Sequence, residues 1–258
     1  MKEKSVVADL VQTFYDGMAP QYEKFYLDWQ TAVRAEAEFL SALFARNGFD
    51  KTARILDCAC GIGTQAIGLA SLGYPVTASD ISAGELAEAQ RKATQNGVAI
   101  PFKQADFCAL SDVFTEQFDI VIAMDNALPH MLTSAALEKA VESIVNQMAP
   151  RGMFVASIRD YDSLLKEKPP YSPPYIHKTD NGQRVLFQTW DWSGENYRFI
   201  QYMINDEGTA QTSRFECEYR ATRREEITRF LLAYGCGEVH WEFPETTGFY
   251  QPVVIARK

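Results

Sequence analysis

Along the chain, short apolar runs that end in glycine or aspartate alternate with longer stretches in which apolar residues recur every three or four positions. Residues 1 to 50 carry only the second pattern. Val6, Leu10, Phe14 and Met18 recur at helical spacing, and a second helix is predicted from Trp29 to Phe44 with Val33, Ala37, Leu40 and Phe44 on one face. An aromatic-rich segment, Tyr15 to Trp29, lies between them. RILDCACGIG then begins with a short apolar run and ends in glycines, as a buried parallel strand does when it enters a tight turn. TQAIGLASLG continues as a helix closed by Gly73, and YPVTASD is a second strand. ISAGELAEAQRKATQNG predicts a helix with Ser82 as N-cap, Glu85 three residues on and Asn96-Gly97 as its stop. IPFKQAD gives a third strand, FDIVIAMDN a fourth, SAALEKAVESIVNQMAP a helix ended by Pro150, and GMFVASIRD a fifth strand.

Strands and helices in this alternation imply βαβ units and an α/β fold, a doubly wound, mostly parallel sheet covered on both faces. From Tyr161 to about Tyr219 the pattern changes. KEKPPYSPPY is a Pro-rich bend, and RVLFQTWDW and YRFIQYMIN alternate like antiparallel strands around a turn at Ser193-Gly194. The β form and the position of this stretch predict an insertion over the active edge of the sheet. REEITRFLLAYG then returns as helix, with EVHWEF and YQPVVIAR as a closing antiparallel pair. The expected division is therefore 1–50 as N-terminal helices, 51–160 with 220–258 as the core, and 161–219 as the insertion.

Composition narrows the partners. The 258 residues hold 25 Lys and Arg against 34 Asp and Glu, a formal net charge of −9, so a basic footprint for nucleic acid or anionic membrane is absent. No stretch approaches the roughly 18 apolar residues of a spanning helix, and MKEKSVVADL carries no apolar signal region. A soluble cytoplasmic protein is expected. Five cysteines, an odd number, suit free thiols in a reducing compartment. Cys58 and Cys60 have no second pair or nearby His to complete a tetrahedral site, so no metal is expected.

In a doubly wound sheet, ligands sit beyond the carboxyl ends of the strands where the strand order switches. The turn there contains Gly61, Gly63 and Ala66 in a G-x-G-x-x-A pattern, and Asp80 ends the next strand at about the 20-residue spacing of an acid that bonds ribose hydroxyls. A strand before the pattern, a helix after it and the acid beyond point to a nucleotide-like ligand. A nicotinamide dinucleotide and S-adenosylmethionine both carry adenosine. Asp57, read at the mouth of the turn, would repel a pyrophosphate but tolerate a cationic sulfonium. Asp106 and Phe107 offer an acid for adenine N6 and a ring near its face.

ILDCACGIGTQAIGLA, VTASDIS, KQADF and FDIVIAMDNALPHM, from about Ile55 to Asp160, resemble successive motifs of the class I S-adenosylmethionine-dependent methyltransferases. The resemblance implies a Rossmann-like seven-stranded sheet whose last strand is antiparallel, with S-adenosylmethionine as cofactor and S-adenosylhomocysteine as product. It narrows at Asn126-Ala-Leu-Pro-His130 and Ser157-Ile-Arg159-Asp-Tyr161-Asp162, which resemble the substrate-side motifs of the glycine and sarcosine N-methyltransferases. That family implies that Arg159 holds the amino acid's carboxylate and Asn126 faces the substrate, with His130 and Tyr161 beside them. It implies a cofactor set of Tyr15, Tyr22, Arg34, Asp57, Ala59, Gly61, Gly63, Asp80, Ile81, Asp106, Phe107 and Met124, with Arg34 meeting the methionine carboxylate. The N-terminal arm is shorter than the family's, and the insertion is less similar than the core.

The residues themselves reach a compatible place. Arg159 ends a strand at the ligand edge, where its planar fork suits a carboxylate, or else it pairs with Asp160 or Asp162 for structure. His130 or a tyrosine such as Tyr161 or Tyr22 would assist an amine that must shed a proton. Aromatic residues in 187–202 would wall the pocket. Asn126 and His130 follow the fourth strand at the ligand edge, with a cap of the following turn as the alternative use of Asp125. His177 and His240 are weak candidates. Ser172-Pro173-Pro174-Tyr175 matches the signature of amino-methyltransferases acting on adenine or glutamine amides, but that signature must end the fourth strand, where DNALPH stands. The expected reaction is direct in-line methyl transfer to the amine of a small molecule, glycine, sarcosine or a related amino acid. An O- or N-methyltransferase of another metabolite and a nicotinamide-dependent oxidoreductase are the rivals. No nucleic acid or membrane partner is expected, and self-association is left open.

Overall fold

The computed structural model describes residues 6–258. Two helices lead: α1 (Val6–Met18) and, after a 3-10 segment at Ala19–Phe25, α2 (Trp29–Arg46). The core follows as β1 (Ile55–Asp57), α3 (Thr64–Ser71), β2 (Val76–Asp80), α4 (Ala83–Gln95), β3 (Phe102–Gln104), β4 (Phe118–Ala123), α5 (Ser134–Gln147) and β5 (Met148–Ser157). A short α6 (Tyr161–Glu167) precedes four strands, β6 (Tyr175–Thr179), β7 (Gly182–Ser193), β8 (Asn196–Asp206) and β9 (Gln211–Arg220). The chain closes with α7 (Arg224–Ala233), β10 (Glu238–Glu242), α8 (Pro244–Thr247) and β11 (Val253–Arg257).

Seven strands form one sheet in the order β10-β11-β5-β4-β1-β2-β3, and β11 runs antiparallel to both neighbours while β1 to β5 are parallel. This is the Rossmann-like α/β arrangement with its last strand reversed. Two apolar layers hold it. Leu56, Val121, Phe154 and Val254 face a core shared with α5 and α7, while Ile55, Ile120, Val155 and Ile255 face one shared with α2 and α3. Alternation along each strand puts successive residues into opposite layers, which is why the strands are apolar throughout. Gly68 lets α2 and α3 meet, since a Cβ there would stand 2.6 Å from the Val33 carbonyl oxygen.

The second sheet, β6-β7-β8-β9, is wholly antiparallel. Its central turn is Gly194-Glu195 between the paired Ser193 and Asn196, with Gly194 at a φ of 65°. The outer strands β6 and β9 and the helix α6 were not expected, because β6 follows closely on the Pro-rich bend and β9 mixes charged residues with aromatics. One helical boundary and one helix position also differ. α5 ends at Gln147 and β5 already runs through Pro150, at a register shift between Phe118 and Ile120 of β4. Leu10, expected on the buried face of α1, is 64% exposed, whereas Phe14 and Met18 are buried.

Candidate active site

Beyond the carboxyl ends of β1, β2, β3 and β4 lies a cavity of about 550 Å³. Cys58 to Ile62 form its floor after β1, Asp80 and Ile81 stand after β2, Asp106 and Phe107 after β3, and Met124 and Asp125 after β4. Strand β1 sits between β2 and β4, so this is the point where the strand order reverses. Asp80 is the best-held acid of the site. One carboxylate oxygen accepts the Gly61 N–H at 2.9 Å and the other the Ser82 N–H at 2.9 Å. Burial raises its pKa, and the backbone donors of Ser82 and Gly61 oppose that rise. Gly61 adopts a φ of 51°, and the nearest atom to a Cβ placed on it is a Glu85 carboxylate oxygen at 3.6 Å.

The N-terminal segment covers this cavity. Tyr15, Tyr22 and Tyr26 line it, and α4 anchors the segment at two places. Asp16 accepts the Ser82 hydroxyl at 2.6 Å and the Gly84 N–H at 2.8 Å, completing the N-terminus of α4. Glu23 pairs with Lys92, whose buried ammonium lies 4.0 Å over the Trp29 ring.

A second, larger cavity of about 1040 Å³ opens between the end of β5, the antiparallel sheet and the residues before β11. Tyr15, Tyr22, Tyr26 and Asp125 line both cavities and form the wall between them. Arg159 lines the larger one. Its two terminal nitrogens donate to the Tyr197 hydroxyl and the Gln188 side-chain oxygen, each at 3.1 Å, and its guanidinium lies 5.2 Å from the ring centres of Trp190 and Phe199. No carboxylate pairs with it among the described residues. The structural alternative for Arg159 does not hold, because Asp160 and Asp162 both pair with Arg224. Three of its five donors remain for a ligand. Beside it, Asn126, at a φ of 71°, accepts the Arg159 backbone N–H at 3.1 Å, and its buried Nδ2 has no partner.

Gln188 and Gln201 were missed. Gln188 also bonds Gln201, which donates in turn to the Phe187 carbonyl, so the arginine rests on a two-glutamine relay. The signal was present as period-two alternation. Gln188 lies between Leu186 and Trp190 and Gln201 between Phe199 and Met203, polar positions on apolar strand faces.

Five expectations are corrected. Arg34 is exposed and bonds the Thr31 hydroxyl within α2, one position off the buried Val33 stripe, and it lines neither cavity. Asp57 is 1% exposed and lines neither cavity, because β1 is covered on both sides. Burial raises its carboxyl, and the side chain does not reach the mouth of the turn. Gly63 starts α3 with a φ of 88° and packs toward Ile67 and Ala89 instead of lining the cavity. Tyr161 is fully buried behind Arg159, its hydroxyl 2.9 Å from that of Tyr197. His130 lines the cofactor-side cavity, with Nε2 2.9 Å from the Tyr15 hydroxyl; burial pulls its pKa down to about 3, and it is a neutral partner of that tyrosine.

Ser172, Pro173 and Tyr175 line the larger cavity from the bend before β6, far in sequence from the end of β4. His177 lines it as well, and His240 is exposed on β10. Among the described residues, no helix is long and apolar enough to cross a membrane.

Residues 55–152 match the family described as Methyltransferase domain. The chain is 24% identical over 213 residues to the glycine/sarcosine N-methyltransferase of Halorhodospira halochloris, covering 83% of this chain and 76% of that one. It is 27% identical over 155 residues to the enzyme of the same name from Parasynechococcus marenigrum, about half of whose length, 54%, is spanned. Among solved structures, an S-adenosylmethionine-dependent methyltransferase from Clostridium acetobutylicum superposes with a TM-score of 0.73 at 17% identity, over 94% of this chain and 98% of the other. The sugar N-methyltransferase KedS8 from a Streptoalloteichus species gives 0.73 at 19% identity, over 92% of each. The smaller cavity fits S-adenosylmethionine: a carboxylate held by the glycine turn, and a second acid and a ring after β3. The chain belongs to the class I S-adenosylmethionine-dependent methyltransferases.

Proposed function

We propose that the enzyme methylates the amine of a small, carboxylate-bearing molecule of the glycine and sarcosine type. The observation that carries this reading is Arg159, a guanidinium with no carboxylate partner among the described residues, on the wall of a cavity that adjoins the cofactor's. A cation left in an aromatic surround is costly unless an anion meets it. A carboxylate in two-point contact with the free donors satisfies that need, and Asn126 Nδ2 offers one donor more.

S-adenosylmethionine supplies an electrophilic methyl group on a sulfonium. Asp80 and Asp106 hold the adenosine end, with Ala59, Gly61, Ile81, Phe107 and Met124 around it. Tyr15 and Tyr22 close the space from above. Arg159 and Asn126 fix the acceptor, and alignment of this kind is worth up to roughly 7–11 kcal/mol of a barrier. Trp190 and Phe199 add faces that favour a methylated ammonium. We place the reaction in the cytoplasm, in keeping with the five cysteines, all free in the structure.

A second reading rests on size. A cavity of about 1040 Å³, rimmed by the exposed Tyr171, Tyr175 and Tyr250, is of the order that holds drug-sized ligands. It favours an amine larger than glycine, in line with the sugar N-methyltransferase among the neighbours. Arg159→Gln separates the two. Under the first reading it raises KM for a carboxylate-bearing acceptor and leaves the cofactor's Kd unchanged; under the second, a carboxylate-free amine is used equally well by both forms.

A further inference from the structure

Asp125 has no part in the reading above, yet it stands where the methyl group must cross. It ends the β4 edge in the left-handed region, at a φ of 56°, and lines both cavities. One carboxylate oxygen accepts the Tyr250 hydroxyl at 2.6 Å, and Tyr250 lines only the acceptor cavity. The other accepts the Gln65 amide at 2.7 Å, and Gln65 lines only the cofactor cavity. Each oxygen keeps a lone pair. We propose that Asp125 is the catalytic residue that binds the acceptor's ammonium and takes its proton; the assignment rests on the amino-acid reading of Arg159.

The two charges complement an α-amino acid. Arg159 and the unpartnered Asn126 Nδ2 supply the positive end of the acceptor cavity, and Asp125 supplies the negative end at the wall shared with the cofactor. The Asp125 carboxylate takes one proton from the ammonium and leaves a neutral amine. The amine's lone pair forms the C–N bond while the pair of the breaking C–S bond stays on sulfur. Positive charge thus moves from sulfur onto nitrogen, and the carbonyl oxygen of the now neutral Asp125 carboxyl accepts one of its N–H groups. The proton passes from Asp125 to water once the product leaves.

The groups facing Asp125 set its readiness. Glu36 of α2, Asp57 of β1 and the hydroxyls of Tyr22, Tyr26 and Tyr250 face it and are held toward their protonated forms by its charge, and no ion pair involves it among the described residues. Burial raises its pKa, and the bonds from Tyr250 and Gln65 hold it down. The carboxylate is therefore more basic than an exposed aspartate, as a proton acceptor requires.

The test compares Asp125→Asn and Tyr250→Phe with the wild type, with glycine and sarcosine as acceptors across pH. Asp125→Asn is expected to lower kcat/KM near pH 7 by about 10²–10⁴-fold. The rate should recover as pH rises and free amine accumulates, with S-adenosylhomocysteine affinity unchanged by calorimetry. Tyr250→Phe, altering an exposed side chain, should shift the acidic limb of the wild-type profile upward. A wild-type profile in both variants overturns the assignment alone. Loss of S-adenosylhomocysteine affinity in Asp125→Asn also overturns it, placing the carboxylate at the methionine end. If the wild type methylates neither acceptor, the amino-acid reading and this assignment fall together.

Discussion

Replacing Asp80 by alanine removes a carboxylate whose two oxygens are each held by one backbone N–H and each retain one lone pair for the cofactor's ribose. A hydrogen bond to a charged group is worth about 1.5–3 kcal/mol, so two amount to about 3–6 kcal/mol. At 1.4 kcal/mol per decade, Kd for S-adenosylmethionine should rise by roughly 10²–10⁴-fold. The same change strands the Gly61 and Ser82 N–H groups, each at a cost of about 1–3 kcal/mol where water cannot reach. Folding must therefore be followed beside binding. Asp80→Asn separates the effects: it keeps the volume but turns an amide N–H toward a backbone donor, so it should fall between wild type and alanine. The assay is calorimetric titration with S-adenosylmethionine, with a thermal melt on each variant. A folded Asp80→Ala protein that binds S-adenosylmethionine like the wild type would refute the placement of the ribose on this acid.

Arg159→Gln should raise KM for a carboxylate-bearing acceptor by roughly 10²–10⁴-fold from the loss of two charge-assisted bonds; steady-state kinetics at saturating cofactor checks it, and an unchanged KM contradicts it. Glu85 is buried with both oxygens unpartnered, and burial, then Asp80, Asp16 and Glu88, push its pKa up to about 9. Glu36 is likewise pushed to about 9 by burial and by Asp125. Folded, both bind protons that the unfolded chain has released, so stability falls as pH rises from the ordinary value of 4.5 to about 9. His130 acts in the opposite sense only below its ordinary 6.5, outside the range from pH 7 to about 9 in which Glu85 and Glu36 contribute. Glu85→Gln should flatten the slope of unfolding free energy in that window by up to about 1.4 kcal/mol per pH unit; denaturant titrations with parallel slopes would disprove this. Gly68→Ala places a Cβ 2.7 Å from that of Ala37 and should destabilise the fold by about 1–3 kcal/mol, read as a lower denaturant midpoint.

The sheet was legible because its strands are apolar on both faces and its turns carry glycine. The Ser82 cap with Glu85 three residues on and the Asn96-Gly97 stop are local chemistry and appear where local chemistry puts them, and the hairpin turn expected at Ser193-Gly194 falls one residue on, at Gly194-Glu195. Part of the site was legible at strand ends, where Asp80 at the end of β2, Met124 past β4 and Arg159 past β5 reach the cavities. Arg34 and Asp57 show the limit of motif reading. Each lies near the expected position in sequence, but helix phase carries Arg34 to solvent and the covered strand carries Asp57 to the interior. The periodicity of α2 already placed Arg34 next to the buried stripe, not on it. The Gln188–Gln201 relay and the wall formed by Tyr15, Tyr22, Tyr26 and Asp125 depend on how the antiparallel sheet and the N-terminal helices dock, which no local pattern records.

The most direct measurement of the central claim is transfer of label from methyl-labelled S-adenosylmethionine to a panel of glycine, sarcosine, dimethylglycine, methylamine and amino sugars. Label should appear on the nitrogen of the carboxylate-bearing amines, with methylamine, which offers Arg159 nothing to hold, far slower. No transfer to any amine, together with calorimetric binding of NAD, would contradict the account.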